Sequence, residues 1–235
     1  MKKISIVVAC YNEFLNIEPM HTRIQGVFGN LNYEYELIFV DNARIDCSYQ
    51  TYRKVIDEDK NVKTIIMSRN FGSSQPSFFA GLQHSTGDAV VMIDGDLQDP
   101  PEVIPDLIQK WEQGFDVIYA VRKKRKGSLL RRMGYKCFYR IFRWLSYLNI
   151  PLDAGDFSLM DRRVVNVIKK LNEKDLYLRG LRAWAGFKQT GVEYVRQERE
   201  GGKTSNSFFA NFNWAKKAIT NFSYNPLEFI SKLAV

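Results

Sequence analysis

The chain has 235 residues, 45% of them hydrophobic and 14% aromatic, enough to bury a substantial core as one α/β domain or one domain with appended helices. That composition excludes a disordered chain. Cys10, Cys47 and Cys137 show no C-x-x-C spacing, which suggests neither a disulfide framework nor a zinc site and favours a reducing compartment, and the net charge of +8 is concentrated in residues 122–143, where ten Lys or Arg stand with no acid.

The opening MKKISIVVACYNE carries an apolar run too short for a signal peptide, and no run of about 18 apolar residues exists to span a membrane, so the chain reads as cytosolic. Residues 4–9 predict a first strand, followed by a helix near 16–29. Strands over 36–41, 62–68, 88–94 and 116–121 then alternate with helices near 48–59, 73–84 and 102–113. Pro76 suits a first helical turn, and Pro101 an entry. This alternation describes βαβ units and an α/β fold built on a mainly parallel sheet. After residue 122 the pattern turns to basic and aromatic helices. Over 128–148, Arg132, Lys136, Arg140 and Arg143 share one helical stripe while Leu130, Cys137, Ile141, Leu145 and Leu148 share another face. Such a basic amphipathic helix suits an anionic membrane surface or a lipid phosphate; a solvated face over a core helix is the plain alternative. Further on, Phe208, Phe212, Ala215, Ile219 and Phe222 make a narrow apolar stripe, suited either to packing on the preceding domain or to a membrane interface.

The chemistry concentrates where strands end. The run VVMIDGDLQDPPEVIP places Asp94, Asp96, Asp99 and Glu102 at the exit of an apolar strand, where unpaired carboxylates would be costly in the interior. Asp94 and Asp96 lie two apart, so in an extended chain they project to one side and can share a cation. Tyr11, Asn12 and Glu13 follow the first strand, and Asp41 and Asn42 the second. In open parallel sheets that edge is the ligand edge. Neither G-x-G-x-x-G after the first strand nor a P-loop occurs, and the EF-hand pattern fails at Gln98, Asp99 and Pro105; a metal-bridged diphosphate fits the acids better. A solvated Asp-Gly turn is the bland reading of DGD, and core packing that of Tyr11. His21 and His84 show no partner pattern and read as ordinary surface or core residues.

VVACYNE, LIFVDNARIDCS, SRNFGSSQPSFFAGLQHSTGD, DGDLQDPP and AGDFSLMDRRVV together resemble the family 2 glycosyltransferases of the GT-A fold, in the branch of dolichol-phosphate mannose synthase and the bactoprenol glucosyltransferases. The resemblance runs from the first strand to NFSYNPLEF and implies a GT-A domain over 1–205, followed by C-terminal amphipathic membrane-interface helices over 206–235. It also implies inverting transfer of a hexose from a nucleotide-sugar donor, UDP-glucose-like, to a polyprenyl phosphate at the cytoplasmic membrane face. The implied cofactor is Mg²⁺ or Mn²⁺, held by Asp96 with Asp94 assisting and Gln98 beside it. Tyr11, Glu13 and Asp41 match positions around the nucleotide base and ribose, and Asp156 an aspartate that acts on the acceptor.

A phosphate monoester is already largely anionic at neutral pH, so Asp156 is as consistent with positioning, or with a structural ion pair, as with a base. Arg122, Arg131 and Arg132 can hold the acceptor phosphate. The chain departs from the family pattern at Asn42, Ala43 and Arg44, where a second Asp and Gly-Ser are usual, at Ser158 in place of Arg, and at Ser205 in place of Lys, with Lys203 a shifted substitute. Homo-oligomerisation is left open. The alternatives are a family 2 enzyme with a glycan or other non-phosphate acceptor, and a basic nucleic-acid-binding module, which would leave the acidic strand exit unexplained; nucleic acid is not an expected partner.

Overall fold

The computed structural model describes residues 1–43, 48–123, 154–171, 173, 176–197 and 231–232. The elements expected over 128–148 and 206–230 lie outside the described residues, as do Arg44, Arg131, Arg132, Lys203 and Ser205.

The chain runs β1 (Lys3–Cys10), α1 (Phe14–Phe28), β2 (Glu34–Asp41), α2 (Ser48–Glu58), β3 (Val62–Ile66), α3 (Gln75–His84) and β4 (Ala89–Asp94). A 3₁₀ turn (Pro101–Val103) then leads into α4 (Ile104–Glu112), β5 (Val117–Arg122), β6 (Ala154–Asp161), α5 (Arg162–Lys170), α6 (Leu178–Trp184) and β7 (Gln189–Tyr194). Seven strands form one sheet in the order β3-β2-β1-β4-β6-β5-β7. All neighbours pair in parallel except β6, which runs antiparallel to both β4 and β5.

Helices cover both faces, and the period-two alternation of the strands sorts the core accordingly. Ile4, Ile6 and Val8 of β1 join Leu37, Phe39, Val91 and Ile93 on the face packed by α1, α2 and α4. Val7, Ile38, Val40, Val90 and Met92 pack on the other face with Phe78 and Leu82 of α3, Val165 and Ile168 of α5 and Leu181 of α6. Helix α3 lies so close to β1 that a Cβ on Gly81 would fall 2.1 Å from Val7 Cγ1, so this helix needs a glycine at the crossing.

The five strands and four helices expected up to residue 122 are all present, with β3 two residues shorter than its apolar run. Strands β6 and β7 were not expected. In β6 the sequence AGDFSLMD interrupts its apolar residues with Gly155, Asp156 and Ser158, yet residues 155–160 are all buried, because the strand sits between β4 and β5 with both faces covered. In β7, QTGVEY is an edge strand with little apolar content.

The opposite edge of the sheet is held by a buried carboxylate. Glu36 accepts hydrogen bonds from Ser5 Oγ (2.6 Å), Thr86 N (2.6 Å), Thr86 Oγ1 (2.9 Å) and Lys63 Nζ (2.9 Å). Burial pushes its pKa up, but these donors outweigh that and bring it down to about 2. His21 is a core residue, buried at 3.0 Å from Asp59, which also accepts from Tyr35.

Candidate active site

Parallel register brings the strand ends to one edge. Cys10 of β1 pairs with Asp41 of β2, and Ala9 with Asp94 of β4. Because β6 runs the other way, its beginning lies at the same edge, and continuing the pairing of Met92 with Ser158 sets Asp156 beside Asp94. Asp94 shares the parity of Val90 and Met92, and Asp156 that of Met160, so both fall on the α3–α5–α6 face; Asp41 has the opposite parity.

The backbone at this edge is shaped for function. Asn12 (φ 55°), Ala43 (φ 50°) and Leu97 (φ 57°) all adopt the left-handed region, and each follows a strand end. Strand β4 stops at Asp94, so the extended geometry assumed for Asp94 and Asp96 does not hold: Gly95 begins a turn, donating its N–H to Ala9 O at 2.9 Å. A Cβ there would sit 2.8 Å from Cys10 Sγ, which makes glycine necessary at the turn. Asp96 Oδ1 then accepts from Gln98 N at 3.1 Å.

Asp99 anchors the loop from beneath. It is 1% exposed and accepts hydrogen bonds from Tyr194 OH and from Arg196 Nε (3.0 Å), with Arg122 Nη2 3.7 Å from its other oxygen. Arg122 also donates to Tyr194 OH at 3.2 Å. Burial lowers the Arg122 pKa, yet the charge of Asp99 and the Tyr194 hydroxyl together outweigh it and raise it. Arg196 reaches onward to Asp96 Oδ2 at 3.6 Å, and Gln197 N donates to Gln98 O at 2.9 Å, so the strand end after β7 covers the acidic loop.

Four carboxylates thus crowd one place. Burial first, then the charges of Asp156, Asp99 and Asp96, push the Asp94 carboxyl up to about 8, against the opposing charge of Arg196. Asp156, itself buried, differs: Arg179 of α6 grips it with Nε to Oδ1 and Nη2 to Oδ2, both 2.9 Å. Burial works against its charged form, but Arg179, Arg182 and Gln75 outweigh that and hold it below the ordinary carboxylate value. Arg182 is buried too, donating to Gly155 O at 3.3 Å, and burial pulls it down to about 10. Gln75 ties α3 to α6 by accepting from Leu178 N at 2.8 Å.

The loop between β3 and α3 is latched from β2. Asn42 Oδ1 accepts from Phe71 N (3.1 Å), while its Nδ2 donates to Asn70 Oδ1 (3.2 Å) and Ser73 O (3.3 Å). Asn70 Oδ1 in turn accepts from Gly72 N at 2.7 Å. The departure from Asp at position 42 therefore supplies two donations a carboxylate could not make.

Among the residues expected from the sequence, Asp94, Asp96, Gln98 and Asp156 come together here, and Arg122 abuts them through Asp99. Tyr11 (41% exposed) and Glu13 flank the end of β1, with Asp41 buried at the end of β2. Asp99, Arg179, Arg182, Tyr194, Arg196 and Gln75 were not singled out as site residues.

Among the described residues no three His, Cys, Asp or Glu converge on a common point to hold a metal. The donor set fits a hard cation that takes one or two carboxylates here and its other oxygens from a phosphate ligand, and the acidic surroundings of Asp94 favour such an ion. Asp96 and Asp94 are the residues that can hold it, with Gln98 alongside.

The family model for glycosyl transferase family 2 matches residues 5–168. An uncharacterized glycosyltransferase from Bacillus subtilis, YkcC, is 44% identical over 228 residues, covering 97% of this chain and 70% of its own. A bactoprenol glucosyl transferase from Shigella phage SfX is 39% identical over 227 residues, covering 96% of this chain and 74% of its own. In fold, the chain is similar to mannosyl-3-phosphoglycerate synthase from Rubrobacter xylanophilus, with a TM-score of 0.60 at 16% identity over 93% of this chain and 72% of that one. The mostly parallel seven-stranded sheet, flanked by helices, is the expected GT-A arrangement. With the match extending over most of the chain and both sheet halves, the chain belongs to glycosyltransferase family 2.

Proposed function

We propose that the protein transfers a hexose from a nucleotide-sugar donor, UDP-glucose-like, to a polyprenyl phosphate at the cytoplasmic membrane face, with inversion. The observation that carries this reading is the carboxylate cluster at the sheet edge, where burial and then the charges of Asp156, Asp99 and Asp96 raise Asp94, a setting suited to a cation. The likeness to bactoprenol glucosyl transferases over 96% of the chain supports the acceptor class.

In this reading Tyr11, Glu13 and Asp41 bind the base and ribose at the ends of β1 and β2. Asp96 and Asp94 would hold Mg²⁺ or Mn²⁺, which would supply neutralisation of the charge developing on the departing nucleoside diphosphate. An acceptor phosphate oxygen attacks the anomeric carbon from the face opposite the diphosphate; the new C–O bond forms as the bond to the diphosphate breaks, and the electron pair leaves with it. Asp156 is ionised and clamped by Arg179, so it orients the sugar or acceptor, and no proton need be removed from an acceptor phosphate that is already anionic. Arg122, with Arg131 and Arg132 of the basic segment, provides the positive field for that phosphate. The ten Lys and Arg of residues 122–143 and the apolar stripe from Phe208 to Phe222 associate the protein with anionic lipid. Among the described residues no helix is long and apolar enough to cross a membrane.

The test is incorporation of labelled hexose into undecaprenyl phosphate, comparing UDP-glucose with GDP-mannose, in the intact chain and in Asp96→Asn. Lipid-linked product in the intact chain alone supports the reading; product formed equally by Asp96→Asn defeats the assigned metal site.

A further inference from the structure

The acidic loop has a cation of its own. Asp96 uses Oδ1 to accept from Gln98 N, and the oxygen left for a metal, Oδ2, is the one that faces Arg196 Nη2 at 3.6 Å. The same guanidinium is fixed at its other side, where Nε donates to Asp99 Oδ1 at 3.0 Å. Asp99 does not depend on this contact, because Tyr194 OH donates to it and Arg122 lies beside it. The backbone adds a second tether, Gln197 N to Gln98 O at 2.9 Å, so Arg196 cannot retreat far when its contact with Asp96 is lost. Its side chain is 27% exposed, so the Nη2 end has room to turn.

We propose that Arg196 is a resident counter-ion for Asp96 that the divalent cation must displace, and that the displaced guanidinium, still held at Asp99, becomes a hydrogen-bond donor to the nucleoside diphosphate. This rests on the metal assignment to Asp96. Its consequence is that one residue opposes metal binding and favours diphosphate binding. Binding of the ion exchanges one charge neutralisation at Asp96 for another, and it turns a planar, five-donor group toward the anion that the ion brings in. A residue needed only to hold the loop in shape would act on both ligands in the same direction.

Calorimetric titration of the full chain with Mn²⁺ alone, then with UDP at saturating Mn²⁺, tests this. Arg196→Gln should bind Mn²⁺ about three- to five-fold more tightly, as expected for loss of a partly exposed competing charge. It should bind UDP about ten-fold more weakly, as expected for loss of a charge-assisted bond. Arg196→Lys, which keeps the charge without the fork, should fall between wild type and Arg196→Gln on both measurements, and it carries the test if the glutamine variant does not fold. Tyr194→Phe, which removes the hydroxyl between Asp99 and Arg122 but leaves Arg196 facing Asp96, should leave Mn²⁺ affinity within about two-fold. Mn²⁺ binding that is unchanged or weaker in Arg196→Gln, or UDP binding that is unchanged, overturns the proposal while leaving the metal assignment standing if Asp96→Asn abolishes Mn²⁺ binding. Mn²⁺ binding retained in Asp96→Asn, or absent from wild type even with UDP present, overturns both.

Discussion

Arg179 and Asp156 form two parallel hydrogen bonds of 2.9 Å each, a fork that joins helix α6 to the first turn of β6 inside the site. Removing Arg179 leaves the buried charge of Asp156 to Arg182 and Gln75 alone. Arg179→Ala should destabilise the fold by about 2–3 kcal/mol, below the full range for a buried pair because the arginine is partly exposed. The double variant Arg179→Met, Asp156→Leu should not recover that loss, because the buried Arg182 then loses its carboxylate, and it should remain inactive. Urea unfolding alongside a transfer assay checks this, and a double variant with activity would remove Asp156 from the site.

Asn42 latches the SRNFG loop through both ends of its amide. Asn42→Asp keeps the acceptor for Phe71 N but sets a carboxylate against the carbonyl oxygens of Asn70 and Ser73. A stability loss of about 1–2 kcal/mol is expected, with weaker nucleotide binding because the loop borders the donor edge. Thermal melts with and without UDP separate the two effects, and an unchanged melting temperature would mean the latch is dispensable.

Glu36 sets the acid limb of stability. Its folded pKa of about 2 lies below the ordinary 4.5, so its contribution is fully present above about pH 4.5 and is lost as pH falls toward 2. The shift corresponds to about 3 kcal/mol at neutral pH. Glu36→Gln, which faces the donors Ser5, Thr86 and Lys63 without a charge, should be less stable at pH 7 and show a flatter loss between pH 4.5 and 2. Urea midpoints measured across that range decide it; parallel curves for the two proteins would assign the acid sensitivity elsewhere.

Much of this was legible in the sequence, for identifiable reasons. Residues 6–9 and 89–93 are unbroken apolar runs because their strands are buried on both faces, and such runs end where a site begins. DGDLQDPP marked the acidic edge through composition alone. Strand β6 escaped because its buried positions include Gly155, Asp156 and Ser158, which are tolerated there by hydrogen bonds such as Ser158 Oγ to Asp156 O at 2.9 Å and the Arg179 fork. Arg179 and Arg196 escaped for a different reason: each meets its carboxylate across a long sequence separation, and neither stands in a local pattern that requires a partner. Asn42, read only as a departure from the family pattern, is a loop latch visible only once the β3–α3 loop is placed beside it.

The basic segment is expected to act on the acceptor and to spare the donor. Charge reversal at Arg131 and Arg132 should reduce use of polyprenyl phosphate at least about ten-fold while leaving UDP affinity within about two-fold, because the donor edge lies at β1, β2 and β4. Equal losses in both measurements would point to general destabilisation.

The most direct measurement is transfer itself: the intact chain incubated with labelled UDP-glucose, undecaprenyl phosphate and Mn²⁺, followed by extraction of lipid-linked sugar and assignment of its anomeric configuration. A β-linked glucosyl phospholipid that forms in Mn²⁺, disappears in excess chelator and is absent with Asp96→Asn is the expected result. Glucose released to water or joined to a glycan with none entering the lipid, or lipid product undiminished by chelator, would contradict the assignment of a metal-assisted transfer to a polyprenyl phosphate.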